Sequence, residues 1–300
     1  MLIASPVFSF DQPAVNMGST SFLDGAPAPA GPGLYFQDYV QYYKSDRLKD
    51  ANGNRLALPK QETEVLVNLT QFVYQSPQRL LGGSWGVDLL APWILKARQD
   101  DGIGGAALSA RDGVGDLTVG PFLQFDPVMG PNGPRFAHRL ELDLILPTGS
   151  YDRTKSFNPG SNFWSFNPYW AGTYWFSPEW TGSFRTYYLW NAKNTDPNVA
   201  FGPGVTSTKA GQAVHANFAL DYAVQPNLRI GVNGYLFRQI TDSEINGNQV
   251  TGRENVWAIG PGAVLSLSKE NLLFVNTYFE QDARNRPQGN RLQLRWVHHF

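Results

Sequence analysis

The sequence predicts an all-β chain: a transmembrane antiparallel β-barrel of twelve strands with an N-terminal extended segment entering the lumen. Three observations carry this. Segments of about ten residues alternate apolar and polar side chains, the two-residue period that sends neighbours to opposite faces of a strand. The connections between them alternate between tight turns and long polar loops, the layout of an outer-membrane barrel. Aromatic residues gather near strand ends on the apolar parity, where interfacial girdles belong.

Composition supports the class. Nine Trp, thirteen Tyr and nineteen Phe stand against only 16% charged residues, and 30 Gly with 21 Pro favour turns over long helices. No apolar run reaches the roughly 18–20 residues of a membrane helix. A formal net charge of −1 with no basic run gives no case for nucleic acid. The absence of cysteine rules out disulfides and thiolate metal sites, and no cofactor is implied.

Residues 1–9 are either a signal-peptide remnant or a disordered start, since MLIASPVFSF is apolar and ends in small residues. Residues 10–32, which include GAPAPAGPG at 25–33, have neither period, and their Pro and Gly argue for an extended arm. Such an arm is a periplasmic tail or a segment tucked into the lumen. The second is favoured because a twelve-stranded barrel encloses volume that side chains alone do not fill. Residues 33–300 then form the barrel, with strands expected at 33–43, 64–74, 84–95, 116–125, 136–146, 163–176, 179–190, 214–224, 228–236, 254–267, 273–279 and the C-terminal stretch.

The sharpest alternation is at 136–146, where His138, Leu140, Leu142, Leu144 and Leu146 oppose Arg139, Glu141 and Asp143. Residues 214–224 place Val214, Ala216, Phe218, Leu220, Tyr222 and Val224 on one parity. Tight turns fall at 177–179, 225–227 and 268–270, and long loops at 45–63, 96–115, 147–162, 191–211, 241–253 and 282–289.

A soluble sandwich or lipocalin-like barrel also alternates, with the apolar side inward. The membrane barrel is preferred for three reasons. Aromatics such as Trp85, Trp93, Trp164, Trp170, Trp180 and Trp190 sit at strand ends. The segments match the roughly 9–11 residues that cross a bilayer at a tilt. The polar parity carries large residues of mixed charge, suited to a filled lumen. Pro121, Pro168 and Pro261 lie inside expected strands on the apolar parity. Proline cannot donate to a ladder, so each predicts a bulge or a break in pairing, and a lateral opening in the wall is the functional form of such breaks.

FLDGAPAPAGPGLYFQDYVQYY (22–43), GVGDLTVGPFLQF (113–125), LELDLILPTGSYD (140–152), NPGSNFWSFNPYWAGTYWF (158–176) and the terminal RWVHHF together span most of the chain. In these motifs and their order the chain resembles the outer-membrane channel family associated with aromatic degradation, the MetA-pathway of phenol degradation family. The resemblance implies a monomeric twelve-stranded channel whose N-terminal segment enters the barrel and which passes small hydrophobic or aromatic molecules. It supplies no catalytic residues.

The residues themselves argue weakly for chemistry. No GxSxG is present, and His215 and Asp221, on one parity, stand about 20 Å apart by the strand rise. Asp100 and Asp101 lack the spacing of a calcium loop. The inner parity is more informative: Asp88, Arg139, Glu141, Asp143, Arg185, Asp221, Arg229, Glu280, Arg291 and Arg295 should face the lumen. They either pair with one another, because buried unpaired charge is costly, or line a constriction as charge rings. With both signs balanced, strong ion selectivity is not expected. Tyr169, Tyr187, Tyr235 and Tyr278 on the same parity either offer a stacking path to an aromatic solute or fill volume.

The expectation is therefore a passive, cofactor-free, non-enzymatic channel in the outer membrane of a Gram-negative bacterium, with both chain ends periplasmic. The alternatives are a general ion-conducting porin and a lipid-hydrolysing barrel. Trp296 and Phe300 close the C-terminal stretch LQLRWVHHF on the lipid parity and resemble the signal read by the barrel assembly machinery.

Overall fold

A computed structural model describes residues 12–105, 108–131 and 133–300. The expected signal remnant, residues 1–9, lies outside the described residues. Twelve antiparallel strands form a closed ring. They are β1 (Gly33–Lys49), β2 (Glu62–Leu80), β3 (Gly83–Asp100), β4 (Thr118–Phe125), β5 (Gly133–Glu141, resuming at Leu144–Ile145) and β6 (Ser165–Phe166, resuming at Tyr169–Trp175). There follow β7 (Trp180–Asn191), β8 (Ala213–Gln225), β9 (Leu228–Gln239), β10 (Asn255–Ser266), β11 (Asn271–Arg284) and β12 (Arg286–His299). Each strand pairs with the next, and β12 returns to β1 with Val40 opposite Leu294 and Tyr39 opposite Arg295. Closure satisfies every edge, which a strand surrounded by lipid requires.

The alternation reads directly onto the two faces. Val40, Leu140, Leu220, Val232, Ile259, Val275 and Leu294 are exposed on the outer surface. Aromatics flank this band. Phe36, Phe72 and Trp296 form one contact group near the short-turn end, with centroids 5.4 and 5.9 Å apart, and Tyr74 meets Trp85 there at 6.0 Å. Indole and phenol rings are at ease at a headgroup boundary.

Three expectations are corrected. The loop placed at 282–289 is almost entirely strand: β11 and β12 join through the single residue Asn285, whose φ of 54° supplies the left-handed corner. The strands placed at 33–43 and 84–95 run on to Lys49 and Asp100 at the long-loop end, while the one placed at 64–74 runs on to Leu80 at the turn end. Pairing with neighbouring strands continues there, so a lipid-length rule underestimates them. At that end a small sheet of Lys193–Asn194, Thr208–Lys209, Ser243–Ile245 and Asn248–Val250 ties two loops together.

The third correction concerns 136–146 and 163–176, each expected as one strand and each interrupted. β5 stops at Glu141 and resumes at Leu144, and β6 loses pairing at Asn167 and Pro168. Pro121 and Pro168 flank this break from either side, accepting hydrogen bonds from the Leu142 and Tyr188 amides at 3.1 Å. Register does not slip: Trp190 opposite Phe166 and Tyr187 opposite Tyr169 keep one alignment across the gap. At Pro261 the β10–β11 ladder likewise skips from Ile259–Phe279 to Gly262–Asn276, while the Val232–Pro261 side stays paired. The prolines produce local breaks, not bulges.

Candidate functional site

The arm, residues 12–32, runs inside the barrel. It contains no strand and is fixed side chain by side chain. Asn217 donates to the Asn16 side chain (2.7 Å), and Gln41 donates to the Ser19 hydroxyl (2.8 Å). Gln293 donates to the Ser19 carbonyl (2.9 Å), and Tyr278 donates to the Gly18 carbonyl (2.7 Å). Phe22 is buried in an apolar cluster with Tyr35, Val73, Val264, Phe274 and Val297.

Two glycines make this path possible. At Gly18, with φ +83°, a Cβ would lie 2.7 Å from Tyr278 and 2.9 Å from Tyr235. At Gly25 a Cβ would meet the Gly172 backbone at 2.4 Å, so arm and wall touch backbone to backbone. The Gly25 amide donates to Thr173 (3.1 Å), and its carbonyl accepts from Gln124 (3.1 Å). Asp24 then receives both arms of the Arg185 guanidinium, at 2.9 and 2.5 Å, with both side chains almost fully buried.

All ten charged residues expected inside lie on the inner face. Arg229 pairs with Asp221, and Arg139 lies 3.4 Å from Glu141 while stacking on Phe122. Glu280 accepts from Tyr43 (2.8 Å), Tyr235 (2.7 Å) and the Gly289 amide (2.7 Å). Asp88 is held by Gln71 at 2.5 Å, and Tyr169 donates to Glu141 at 2.5 Å. Asp24 and Arg286, the latter bridging Glu254 and Glu280, join this set without having been singled out from sequence. The arm's lack of any period hid the first, and the loop expected at 282–289 hid the second.

The tyrosines divide. Tyr169 and Tyr187 line the lumen cavity, 5.1 Å apart, with His215 stacked on Tyr187 at 4.1 Å. Tyr235 and Tyr278 are fully buried beneath Gly18 and take up volume there.

Between arm and wall remains a cavity of about 720 Å³. One side was not anticipated. Val65, Val67 and Leu69 of β2 and Leu90, Pro92 and Ile94 of β3 face it, so here the inner parity is apolar too. The continuous run LLAPWIL in β3 is its sequence signal, because a strand apolar on both faces shows no alternation. A shallow, open depression lies at the break in the wall, bordered by outward Leu140, Leu142, Pro168, Trp170 and Tyr188 and by inward Glu141, Tyr169 and Tyr187.

A closed wall, apolar without and polar within, narrowed by its own N-terminus, defines a porin-like outer-membrane channel barrel. The sequence belongs to the family described as MetA-pathway of phenol degradation, whose model matches residues 45–296. Among solved structures, an outer membrane channel from Pseudomonas putida F1 is 19% identical and superposes with a TM-score of 0.78, covering 96% of this chain and 100% of that one. The toluene transporter TbuX from Ralstonia pickettii is 9% identical with a TM-score of 0.50, covering 95% of this chain and 96% of that one. Both share the fold. No curated protein sequence matches the chain.

Proposed function

We propose that this channel passes small hydrophobic or aromatic molecules inward without energy input, between the N-terminal arm and the β2–β3 wall, and releases them sideways at the proline-flanked break. The observation that carries this is the apolar inner wall of Val65, Val67, Leu69, Leu90, Pro92 and Ile94 along the lumen cavity. A water-filled general porin gains nothing from such a wall, whereas an apolar solute loses less on leaving the membrane or a micelle if it meets one. The membrane-side depression, where lipid-facing Trp170 adjoins the inward Tyr169 and Tyr187 at the gap in pairing, supports the lateral exit. Passage down a gradient needs only weak sites along the path. The chain acts as a monomer in outer-membrane lipid, and Trp296 and Phe300 at its C-terminal strand present the recognition signal for the barrel assembly machinery.

Uptake of the hydrophobic dye N-phenylnaphthylamine by intact cells tests this. Expressing the channel should speed dye entry several-fold, and Leu90→Asp with Ile94→Asp should return it to background. Large ohmic conductance steps with no gain in dye entry would favour a general porin and sink the proposal.

A further inference from the structure

Arg295 is a buried inward charge that the lumen leaves without an acid, and unlike Arg291, which is also in no ion pair but donates to the Met17 carbonyl, it meets no arm carbonyl. It is only 7% exposed, and among the described residues no carboxylate lies within 4.0 Å of it. Its Nε has no hydrogen-bond partner, and its polar neighbour is the neutral Tyr39 hydroxyl. The guanidinium stacks on Phe274 at 3.7 Å and lies 5.8 Å from the Tyr39 ring. The acid nearest along the arm, Asp24, is already held by Arg185 through both oxygens.

This differs in kind from the acids across the lumen. A buried carboxyl such as Asp88 or Asp143 can take up a proton and become neutral, but an arginine in a protein cannot shed one. A buried arginine without an acid therefore asks for an anion from outside. The Nε edge of a guanidinium is the part that meets a carboxylate with two parallel hydrogen bonds, and at Arg295 the Nε of that edge is buried without a hydrogen-bond partner.

The surroundings specify what else the anion must carry. Tyr35, Val73, Val264, Leu272, Phe274 and Val297 line the same cavity beside Arg295 and belong to one apolar cluster. An apolar floor beside a guanidinium that no acid engages takes an amphiphile, its head on the charge and its body on the floor.

We propose that Arg295 is the binding group for a hydrophobic monocarboxylate, held head-on by the guanidinium with its apolar body against the Phe274–Val297 surface. The inference rests on the channel reading only for the route by which the anion arrives. Cation–π contact with Phe274 holds the guanidinium in place without consuming its N–H donors.

Calorimetric titration of the full chain in lipid nanodiscs at neutral pH, with hexanoate, acetate, hexan-1-ol and hexylammonium as probes, tests the site. Hexanoate should bind tightest, acetate weaker for want of a body, and hexylammonium not at all. Arg295→Gln should weaken hexanoate by about tenfold or more, the loss expected for a charge-assisted hydrogen bond, and leave hexan-1-ol unchanged. Arg295→Lys should recover part of the affinity, which a purely structural arginine would not do. Equal binding of hexanoate and acetate would mean a site for any small anion and would overturn the proposal. So would hexanoate binding that survives Arg295→Gln. If hexanoate binds as expected while dye entry shows no channel, the route fails and the site stands.

Discussion

From β11 through β12 and β1 to β3 the wall is a nearly continuous ladder, while between β4 and β6 it is joined by short runs. β1 and β2 pair from Gly33–Gln75 to Ser45–Thr63 without interruption. β4 and β5 meet only at Phe122–Glu141, Leu123–Leu140 and Gln124–Arg139, then again at Val119–Leu144 and Thr118–Ile145. Both regions put apolar residues outward, so lipid imposes the same parity on each. They differ because two prolines face one break, and a missing amide on either side removes the bonds that would have drawn Leu142 and Asp143 into the sheet. The Leu142 and Asn167 amides keep the Pro121 and Asp143 carbonyls opposite them in register, so the gap does not strand them. A barrel can lose pairing locally without losing closure, provided that register is kept.

The arm bridges the two regions, tied to the continuous side through Ser19, Gln41 and Gln293 and to the interrupted side through Asp24 and Arg185. The largest effect is expected from Asp24→Ala. It leaves a buried arginine uncompensated, a loss of about 3–5 kcal/mol in arm docking. Hydrogen exchange of residues 12–32 should rise and single-channel conductance should grow. An arm that stays protected would mean that the continuous side alone holds it.

Next in size is an arginine on the lipid face. Leu294→Arg in β12 should cost about 2–4 kcal/mol and reduce the folded, heat-modifiable band on gels. Leu142→Arg, at the break, should also impair assembly but less, because pairing around it is incomplete and its side chain borders an open depression. Equal penalties would erase the distinction between the two regions.

A smaller gain is expected from repair. Pro121→Val with Pro168→Val restores two amides, worth about 0.5–1.5 kcal/mol each if they pair. The melting temperature should rise while dye entry falls. A rise in stability with unchanged entry would remove the lateral exit.

The smallest effect lies at the rim. Arg253 donates to Asp242 at 2.7 Å and holds its carboxyl below the ordinary 3.8. A carboxyl depressed in the folded state stabilises above its unfolded value and loses that contribution as pH falls through the folded one. Exchange in the loop 241–253 should therefore increase slightly below about pH 4 and leave the β1–β3 ladders unmoved.

Much of this was legible in the residues. Leu140 and Leu142 against Arg139, Glu141 and Asp143 declare an outside and an inside within five positions, because a strand's two faces are fixed by parity alone. Pro121 and Pro168 announce breaks for an equally local reason, a missing donor. The β2–β3 apolar wall was less legible, since a strand apolar on both faces does not reveal which face is which.

Strand number, the lipid face, the inner charges and the prolines were thus determined by the sequence itself, through short-range rules of period and hydrogen bonding. Tertiary structure alone decided which charges meet. Arg185 finds Asp24 across 161 residues, and Arg295 finds none, because pairing depends on register around the ring and on where the arm runs. No local pattern carries that information. The extra length of β1 and β3 at the long-loop end was settled the same way, by neighbouring strands that supply the hydrogen bonds.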